Sequence, residues 1–269
     1  MTSDTTYYTD NRMLHATAGG LMGTRLDVVM LGVGQDAGTA LWQQCLDAVS
    51  ELESVGSRFR PDSETSAVNR AEPLSMVSVS PLFSRLLTDA VSYRDRTLGA
   101  FDVTGCSGAQ VDFSPDGSQL IIPSSGLKID LGGYLKGHAV DLMADTLRQG
   151  GVADAFIDFG GSSIMGIGSH PAGDGWPVSV TDPYTRRSLR TGTLRDASLS
   201  TSGNTQAYNG HIISPFTGRA VTGNRLAAVI APRAVDAEVL STAWLVADSD
   251  MRAAILSNFP TVIEEFVYN

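Results

Sequence analysis

The chain has 269 residues, a formal net charge of −10 and an isoelectric point near 4.7. No basic stretch offsets this acidic balance, so nucleic acid is excluded as an expected partner, because its phosphates would be repelled. The sequence contains no apolar run long enough for a transmembrane helix and no signal peptide. We therefore expect a cytoplasmic protein, although an exported chain trimmed of its signal would have the same features. Cys45 and Cys106 match no metal or redox spacing, and we expect reduced thiols.

Hydrophobic spacing and turn residues predict the secondary-structure elements in chain order. Ser80 before Pro81 marks the start of one helix, and the Ser-Pro-Asp-Gly-Ser turn at 114–118 marks a hairpin. The order of strands and helices is irregular, which indicates an α+β fold rather than a doubly wound parallel sheet. The predicted strands cover 26–33, 155–165 and short segments within 101–130 and 176–201; the predicted helices cover 36–59, the segment after Ser80, 134–149, 235–247 and 251–259; residues 60–64 form a predicted turn.

The stretch IDLGGYLKGHAVD, residues 129–141, combines a carboxylate, a glycine pair and a lysine at the predicted start of a helix. Asp130 would end a strand, and Gly132 and Gly133 would let the backbone turn tightly. Backbone N–H groups at a helix start attract anions, and Lys136 in the first turn would add a positive charge near a bound phosphate. The Lys-Gly order differs from that of a P-loop. On these residues alone, a solvated lysine after a strand–turn–helix is the slightly favoured interpretation.

Residues 57–69 form a second polar segment. Arg58, Arg60, Glu64 and Asn69 are expected on one exposed turn, where they could hold a planar polar ligand. The two arginines are explained equally well by the negative end of the preceding helix dipole. That alternative does not account for Glu64 or Asn69.

Two further segments carry candidates for proton transfer and metal binding. His211 precedes a short apolar segment, and a histidine is the natural proton acceptor at neutral pH, although a lone histidine is more often structural. Glu238 and Thr242 lie four residues apart, so they share one face of a predicted helix. Oxygen ligands at this spacing suit Mg²⁺, and the alternative is a helix N-terminus that favours acidic residues.

The order of these motifs along the chain resembles the ApbE family, the FAD:protein FMN transferases. Several motifs in the same order are far more specific than any one of them. The resemblance covers residues 22–248. The motifs are MGT at 22–24, the polar segment 58–69, FDVT at 101–104, the stretch 129–141, DFGG at 158–161, STSG at 200–203, HIISPFTG at 211–218 and AEVLSTA at 237–243.

The resemblance implies an α+β fold with a T-fold-like core and two lobes that enclose an FAD cleft. We expect an N-terminal tail over residues 1–18 and a single two-lobed domain over residues 19–269. The implied activity is Mg²⁺-dependent transfer of the FMN half of FAD to a serine or threonine hydroxyl of an acceptor flavoprotein, with release of AMP. Two alternatives remain: an FAD pyrophosphatase that uses water as the acceptor, and an FAD-binding protein with weakened catalysis.

The resemblance also implies roles for individual residues. Lys136 and the glycine turn would hold the pyrophosphate, and His211 would take the proton of the attacking hydroxyl. Glu238, Thr242 and a backbone carbonyl near Gly133 would bind Mg²⁺. The positions that match FAD-binding positions of the family are Met22, Phe59, Glu64, Asn69, Asp130, Gly132, Gly133, Lys136, Thr201, Ser202 and Gly203.

The chain departs from the family pattern at two positions. Glu238 stands where the family usually has aspartate, and Ser214 stands where an aspartate usually precedes the motif's proline. Mg²⁺ requires tight ligand geometry, so the longer Glu238 side chain is expected to weaken the metal site. Both changes are expected to affect activity rather than the fold.

Overall fold

The computed structural model describes residues 2–105, 108–206 and 209–268. Cys106 lies outside these residues, and its expected thiol state stays a prediction. Cys45 is a free, buried thiol, and burial raises its pKa to about 12. Cys45 is therefore protonated at neutral pH and packs as a small apolar side chain.

An eight-stranded sheet forms the centre of the fold, and every neighbouring pair of its strands is antiparallel. The strands are β1 Thr2–Tyr8, β2 Met13–Leu21, β3 Thr24–Leu31, β4 Met76–Ser78, β5 Asp112–Phe113, β6 Gln119–Ile121, β7 Ala155–Phe159, β8 Ser163–Ile167, β9 Trp176–Thr181, β10 Ser188–Leu194, β11 Ala197–Gly203, β12 Leu226–Ala231 and β13 Glu264–Tyr268. The large sheet has the order β1-β2-β3-β7-β8-β11-β12-β13. The remaining strands form a small sheet of order β4-β6-β5 and a β9–β10 hairpin.

Three of the helices pack on one face of the large sheet. The helices are α1 Gln35–Gly56, α2 Glu64–Arg70, α3 Pro81–Arg96, α4 Leu135–Gln149, α5 Ala234–Ala243 and α6 Ser249–Leu256. α1, α4 and α5 contact the sheet, and alternate strand residues such as Leu14, Ala16 and Val28 are fully buried against them. The alternation follows from the two-residue period of a strand. An entirely antiparallel sheet with separate helices confirms the predicted α+β class.

The β9–β10 hairpin covers part of the opposite face of the sheet with a second, smaller core. Trp176 stacks on Phe156 of β7 with ring centroids 5.4 Å apart, and its indole N–H donates to the carbonyl of Ile167 at 2.8 Å. Leu199 of β11 is buried in this second core. The large sheet therefore has two apolar faces, of which the helical face is the larger.

Two contacts hold α5 tightly against α4. The carboxylate of Asp141 in α4 accepts the backbone N–H groups of Ala234 at 2.7 Å and Val235 at 3.1 Å, so it caps α5 from a neighbouring helix. A Cβ atom on Gly137 of α4 would lie 2.7 Å from the carbonyl oxygen of Ala234 and from the Cα of Val235. Glycine is required at this position because the two backbones touch.

Several predicted elements are confirmed. Ser80 caps α3 by accepting the N–H of Phe83 at 3.1 Å, with Pro81 at the first helical position. The turn at 114–118 joins β5 and β6, which pair as a hairpin. The helix predicted over 134–149 is α4. The strand predicted over 155–165 with an interruption at Gly160 and Gly161 is instead two antiparallel strands, β7 and β8, because the chain reverses direction at these glycines.

Two predictions about local structure are corrected. Residues 2–18 do not form a tail, because β1 and β2 pair with each other and β2 pairs with β3 in the large sheet. β1 is mostly exposed and so carries little apolar pattern; backbone hydrogen bonds hold it in place. The predicted turn at 60–64 leads directly into α2, which Ser63 caps by accepting the N–H of Ser66 at 3.0 Å.

Other boundaries also differ from expectation. β12 and β13 were not predicted, and the helix expected over 235–247 ends at Ala243. Asp130 lies outside any strand; its N–H donates to the carbonyl of Val103 at 2.9 Å. In the described ranges, no helix combines the length and the apolar character that a membrane crossing requires.

Candidate active site

A buried carboxylate lies at the centre of the candidate site. Glu238 of α5 is only 4% exposed. Its Oε1 lies 3.2 Å from the ammonium nitrogen of Lys136 in the first turn of α4, and its Oε2 accepts a hydrogen bond from the hydroxyl of Ser163. Lys136 also donates to the hydroxyl of Ser162 at 2.8 Å. A buried carboxylate needs such partners, because an unpaired charge in the interior is strongly unfavourable.

A group of hydroxyls lies one helical turn further along α5. The hydroxyls of Thr242 and Ser202 are 3.1 Å apart, and those of Ser202 and Ser241 are 2.8 Å apart. A Cβ atom on Gly133 would lie 3.3 Å from the hydroxyl oxygen of Thr242. The structure therefore places Gly133 beside Thr242, on the same helix that carries Glu238.

Strand geometry separates the three residues predicted at the end of β11. Ser202 faces α5, and the hydroxyl of Ser200, two residues earlier, lies 3.3 Å from that of Ser241 on the same helix. Thr201 lies between them and therefore belongs to the opposite face, the one on which Leu199 packs. Of this trio, Ser202 has its side chain in the group around Thr242.

The site lies at one end of the large sheet. Phe159 at the end of β7 pairs with Leu26 near the start of β3, and Ser163 at the start of β8 pairs with Ser200 of β11. This register brings the β2–β3 turn, the β7–β8 turn and the C-terminal end of β11 to the same end of the sheet. Met22 lies in the first of these turns, with a left-handed φ of 46° and its N–H donated to Glu53 at 2.9 Å.

The glycine turn before α4 is linked through Asp130 to Arg58, which contacts the exposed ring of Phe59. Asp130 accepts the N–H of Gly132 at 2.9 Å and lies 3.0 Å from the guanidinium of Arg58. The guanidinium carbon of Arg58 lies 4.3 Å from the ring centroid of Phe59, which is 76% exposed. Phe59 therefore presents a largely exposed aromatic ring in the segment between α1 and α2, next to Arg58.

The start of α4 is suited to an anion. Its N-cap, Tyr134, makes no side-chain capping bond, and the backbone N–H groups of Tyr134 and Leu135 donate to the carbonyl of Leu131 at 3.0 and 2.8 Å. The free N–H groups of a helix start carry partial positive charge, to which Lys136 adds a full charge. Lys136 is not a solvated helix residue, because it is paired with Glu238 and Ser162; an anion site at this helix start stays a prediction.

Two predicted FAD-binding residues make structural contacts. The amide of Asn69 donates to the carbonyl of Ile129 at 2.9 Å and accepts the N–H of the same residue at 2.6 Å. Glu64 accepts the N–H of Ser80 at 2.7 Å. Asn69 therefore holds the segment that leads into the glycine turn, and Glu64 ties α2 to the start of α3.

The segment that carries His211 is anchored by a buried asparagine. Asn204, which follows β11 directly, donates to the carbonyls of Val221 and Gly223 at 2.9 Å each and accepts the N–H of Gly210 at 3.1 Å. His211 itself is exposed. Asn204 therefore connects the His211 segment to the strand that carries Ser202.

Ser214 lies at a tight turn within that segment. Its backbone carbonyl accepts the N–H of Gly218 at 2.9 Å, and its own N–H donates to the carbonyl of Arg219 at 2.9 Å. Residues 213 and 220 form an antiparallel bridge across the turn.

Sequence reasoning did not identify four polar residues of the site: Ser162, Ser163, Asn204 and Ser241. Ser162 and Ser163 follow the DFGG motif directly, and Asn204 follows STSG directly, so their position beside quoted motifs was an available signal. Their partners, however, lie far away in the chain. Ser163 and Glu238, for example, are 75 residues apart.

The donor atoms of the site fit a hard cation such as Mg²⁺. Glu238 contributes a carboxylate, and Thr242 and Ser202 contribute hydroxyls beside the backbone of Gly133. Among the described residues, no group of three or more His, Cys, Asp or Glu side chains could hold a metal by itself. Mg²⁺ is typically held by one or two carboxylates together with water and substrate phosphates, so one carboxylate is sufficient in the presence of a phosphate ligand.

The fold and site define an α+β protein with a polar site at the end of an antiparallel sheet, built from one carboxylate, one lysine and a group of hydroxyls. The chain matches the ApbE family over residues 22–113 and 105–266, and it belongs to that family.

Curated relatives and solved structures agree with this assignment. The chain is 26% identical to an FAD:protein FMN transferase of Treponema pallidum and 25% identical to one of Salmonella typhimurium, in each case over 85% of this chain and 77% of the relative. The ApbE protein of Thermotoga maritima has a TM-score of 0.78 at 21% identity, covering 97% of this chain and 94% of its own. The flavin transferase ApbE of Vibrio cholerae has a TM-score of 0.75 at 22% identity, covering 96% and 98%.

Proposed function

We propose that the protein is a transferase that moves the FMN half of FAD to a serine or threonine hydroxyl of an acceptor flavoprotein and releases AMP. The observation that carries this proposal is a pair of contacts between the start of α4 and α5. Lys136 pairs with Glu238, and Gly133 lies against Thr242. This combination of an anion site and an oxygen-donor site suits a metal-bound diphosphate. The names of the curated relatives support the choice of FAD as the donor.

The diphosphate would bind at the start of α4. Lys136 and the positive end of the α4 helix dipole would attract its oxygens, and the glycines at 132 and 133 would allow the backbone to approach closely. Phe59, exposed beside the glycine turn, offers a surface for a flat ring. Met22 would line the same ligand. Asn69 would act indirectly, by holding Ile129 and the segment that leads into the glycine turn.

Glu238, Thr242 and the carbonyl of Gly133 would hold Mg²⁺. When bound, the metal would neutralise charge on the diphosphate, an effect worth several kcal/mol for Lewis-acid metals in general. The acceptor hydroxyl oxygen would form a bond to the phosphorus of the FMN half as the bond from that phosphorus to the bridging oxygen breaks. AMP leaves with the bridging oxygen, and His211 takes the hydroxyl proton, a role that typically contributes about 10²–10⁴-fold.

The test is a transfer assay with FAD, Mg²⁺ and a candidate acceptor flavoprotein, followed by in-gel flavin fluorescence and by quantification of AMP. We expect a fluorescent acceptor band and AMP in equal amounts. A serine- or threonine-free variant of the acceptor site is the control. Free FMN and AMP without a labelled acceptor would identify a pyrophosphatase instead. Tight FAD binding without AMP release would identify a binding protein.

His211→Ala separates the proposed proton acceptor from a structural histidine. We expect transfer to fall by about 10²–10⁴-fold while FAD affinity is retained, because the base acts on the attacking hydroxyl rather than on the bound FAD. Fluorescence titration with FAD gives the affinity, and the transfer assay gives the rate. Loss of FAD affinity with normal turnover at saturating FAD would contradict the role.

A further inference from the structure

The carboxylate proposed to bind Mg²⁺ already has a cation beside it. Lys136 lies 3.2 Å from Oε1 of Glu238, while the hydroxyl of Ser163 donates to Oε2. Both oxygens of the buried carboxylate therefore have a partner within the protein. The lysine side chain is itself held by the hydroxyl of Ser162 at 2.8 Å.

The Lys136 ammonium group and the proposed Mg²⁺ ion would compete for the same oxygen, Oε1 of Glu238. A Mg²⁺ ion at Oε1 would lie close to the ammonium group, and like charges at short range in a buried site repel strongly. Movement of the Lys136 ammonium group away from Glu238 without a replacement cation would leave the buried negative charge of Glu238 uncompensated, which is also unfavourable. Exchange of one cation for the other is favourable only when Lys136 gains another anion.

The proposed diphosphate is that anion. Lys136 is in the first turn of α4, where the partial positive charge of the helix start favours an anion, and its side chain is about one quarter exposed. A lysine has a flexible four-carbon stem, so its ammonium group can reach a neighbouring partner without movement of the helix.

We propose that Lys136 is an exchangeable counter-ion of Glu238: it neutralises the carboxylate in the ligand-free protein and moves to the diphosphate when FAD binds, which frees Glu238 for Mg²⁺. This inference rests on the proposed FAD site, but not on transfer to an acceptor. It makes nucleotide and metal binding cooperative, and by linkage each strengthens the binding of the other by the same factor. The metal site is then complete only when the substrate is present.

The sequence offers an unusually direct test, because the chain contains only two lysines, Lys128 and Lys136. Isotope labelling of lysine side chains should give two NMR signals, which a single substitution assigns. Lys128 donates to the backbone carbonyl of Asn69 and provides an internal control. We expect FAD to shift the Lys136 signal, and Mg²⁺ alone to leave both signals in place. An unchanged Lys136 signal at saturating FAD would overturn the proposal.

Calorimetric titration of Mg²⁺ into the protein, with and without FAD, measures the cooperativity. We expect FAD to tighten Mg²⁺ binding to the unchanged protein by a factor within about 5–150, the usual range for coupled sites. In Lys136→Met, Mg²⁺ alone should bind more tightly than to the unchanged protein, because the competing cation is gone, and the effect of FAD should shrink. Lys128→Met removes the same charge away from Glu238 and should behave like the unchanged protein.

The outcomes separate this inference from the proposed function. Mg²⁺ binding that is no tighter in Lys136→Met than in the unchanged protein would overturn the counter-ion role, even if transfer activity is normal. If FAD does not bind the unchanged protein, the proposed function and this inference both fail. If Lys136→Met does not fold, the lysine NMR experiment on the unchanged protein still decides the question.

Discussion

At the scale of single residues, Glu238 carries the largest share of the proposed chemistry. It is the one acidic side chain of the carboxylate–lysine–hydroxyl group, and it is nearly completely buried. Its backbone carbonyl accepts the hydroxyl of Thr242 at 3.1 Å, as expected for residues four apart in a helix. Position 238 therefore combines a charge with a fixed orientation relative to its neighbour.

Substitution of Glu238 tests its role as a metal ligand. Glu238→Gln keeps the shape of the side chain and removes its charge, so Mg²⁺-dependent activity should be lost. Glu238→Asp keeps the charge one methylene closer to the helix and should retain activity, with a changed Mg²⁺ requirement because octahedral coordination needs oxygens at about 2.0–2.1 Å. The measurement is the initial rate against Mg²⁺ concentration for the three proteins. If Glu238→Gln responds to Mg²⁺ like the unchanged protein, Glu238 is not a ligand.

At the scale of elements, the site depends on how closely α4 and α5 approach. α4 supplies Lys136 and α5 supplies Glu238, so the ion pair forms only when the two helices are close together. Asp141 and Gly137 of α4 set the distance and the relative position of the two helices. Gly137 adjoins Lys136, and a Cβ there would lie 2.9 Å from the Cβ of Glu238, whereas Asp141 acts from about one turn further along α4.

Gly137→Ala should separate the two helices. The added Cβ would lie 2.7 Å from backbone atoms of residues 234 and 235, which cannot move aside as a side chain could. We expect a loss of about 1–3 kcal/mol in the free energy of unfolding, typical of overpacking, together with weaker FAD binding. Urea denaturation and FAD titration check both effects. Gly173→Ala is the matched control, because a Cβ at that position meets no atom within 4 Å.

The cap that Asp141 provides should depend on pH. Burial raises the pKa of Asp141 to about 6, although the N–H groups of Ala234 and Val235 act in the opposite direction. A carboxyl whose pKa is higher in the folded than in the unfolded state favours folding at low pH, and this contribution is lost as the pH rises from about 4 to about 6.

Asp141→Asn removes this titration. The amide cannot ionise, so the free energy of unfolding of the unchanged protein should fall relative to that of the variant as the pH rises through this window. Urea denaturation of both proteins at several pH values between 4 and 7 measures the difference. A constant difference across the window would show that Asp141 does not titrate there.

At the scale of the whole molecule, the large sheet separates the smaller core from the candidate site. Its helical face carries the main core and the candidate site, while the β9–β10 hairpin and its small core lie on the opposite face. Substitutions in the second core should therefore lower the free energy of unfolding without changing the geometry of the candidate site directly.

Trp176→Ala tests this separation. The indole is 6% exposed, stacks on Phe156 and donates to Ile167, so its loss should cost about 3–5 kcal/mol in the free energy of unfolding. FAD affinity of the folded fraction should be unchanged. Trp176→Phe keeps an aromatic ring and should cost less. A large fall in FAD affinity at temperatures where Trp176→Ala remains folded would contradict the separation.

The sequence by itself determined several local elements and part of the candidate site. Apolar spacing indicated α1 and α4, Ser80 and Pro81 marked the start of α3, and the i,i+4 relation placed Glu238 and Thr242 on one face. These features depend on residues close together in the chain, where spacing alone specifies geometry. The order of the motifs also indicated the family to which the chain belongs.

Only the tertiary structure decided which distant residues meet. β1 lacks a buried apolar pattern and is held by backbone pairing with β2, which side-chain periodicity does not register. Asn69 holds Ile129 across 60 residues, and Ser163 reaches Glu238 across 75. The pairing of Lys136 with Glu238 likewise required the close approach of two helices. Contacts of this kind follow from strand register and helix packing, because these place side chains together irrespective of their separation along the chain.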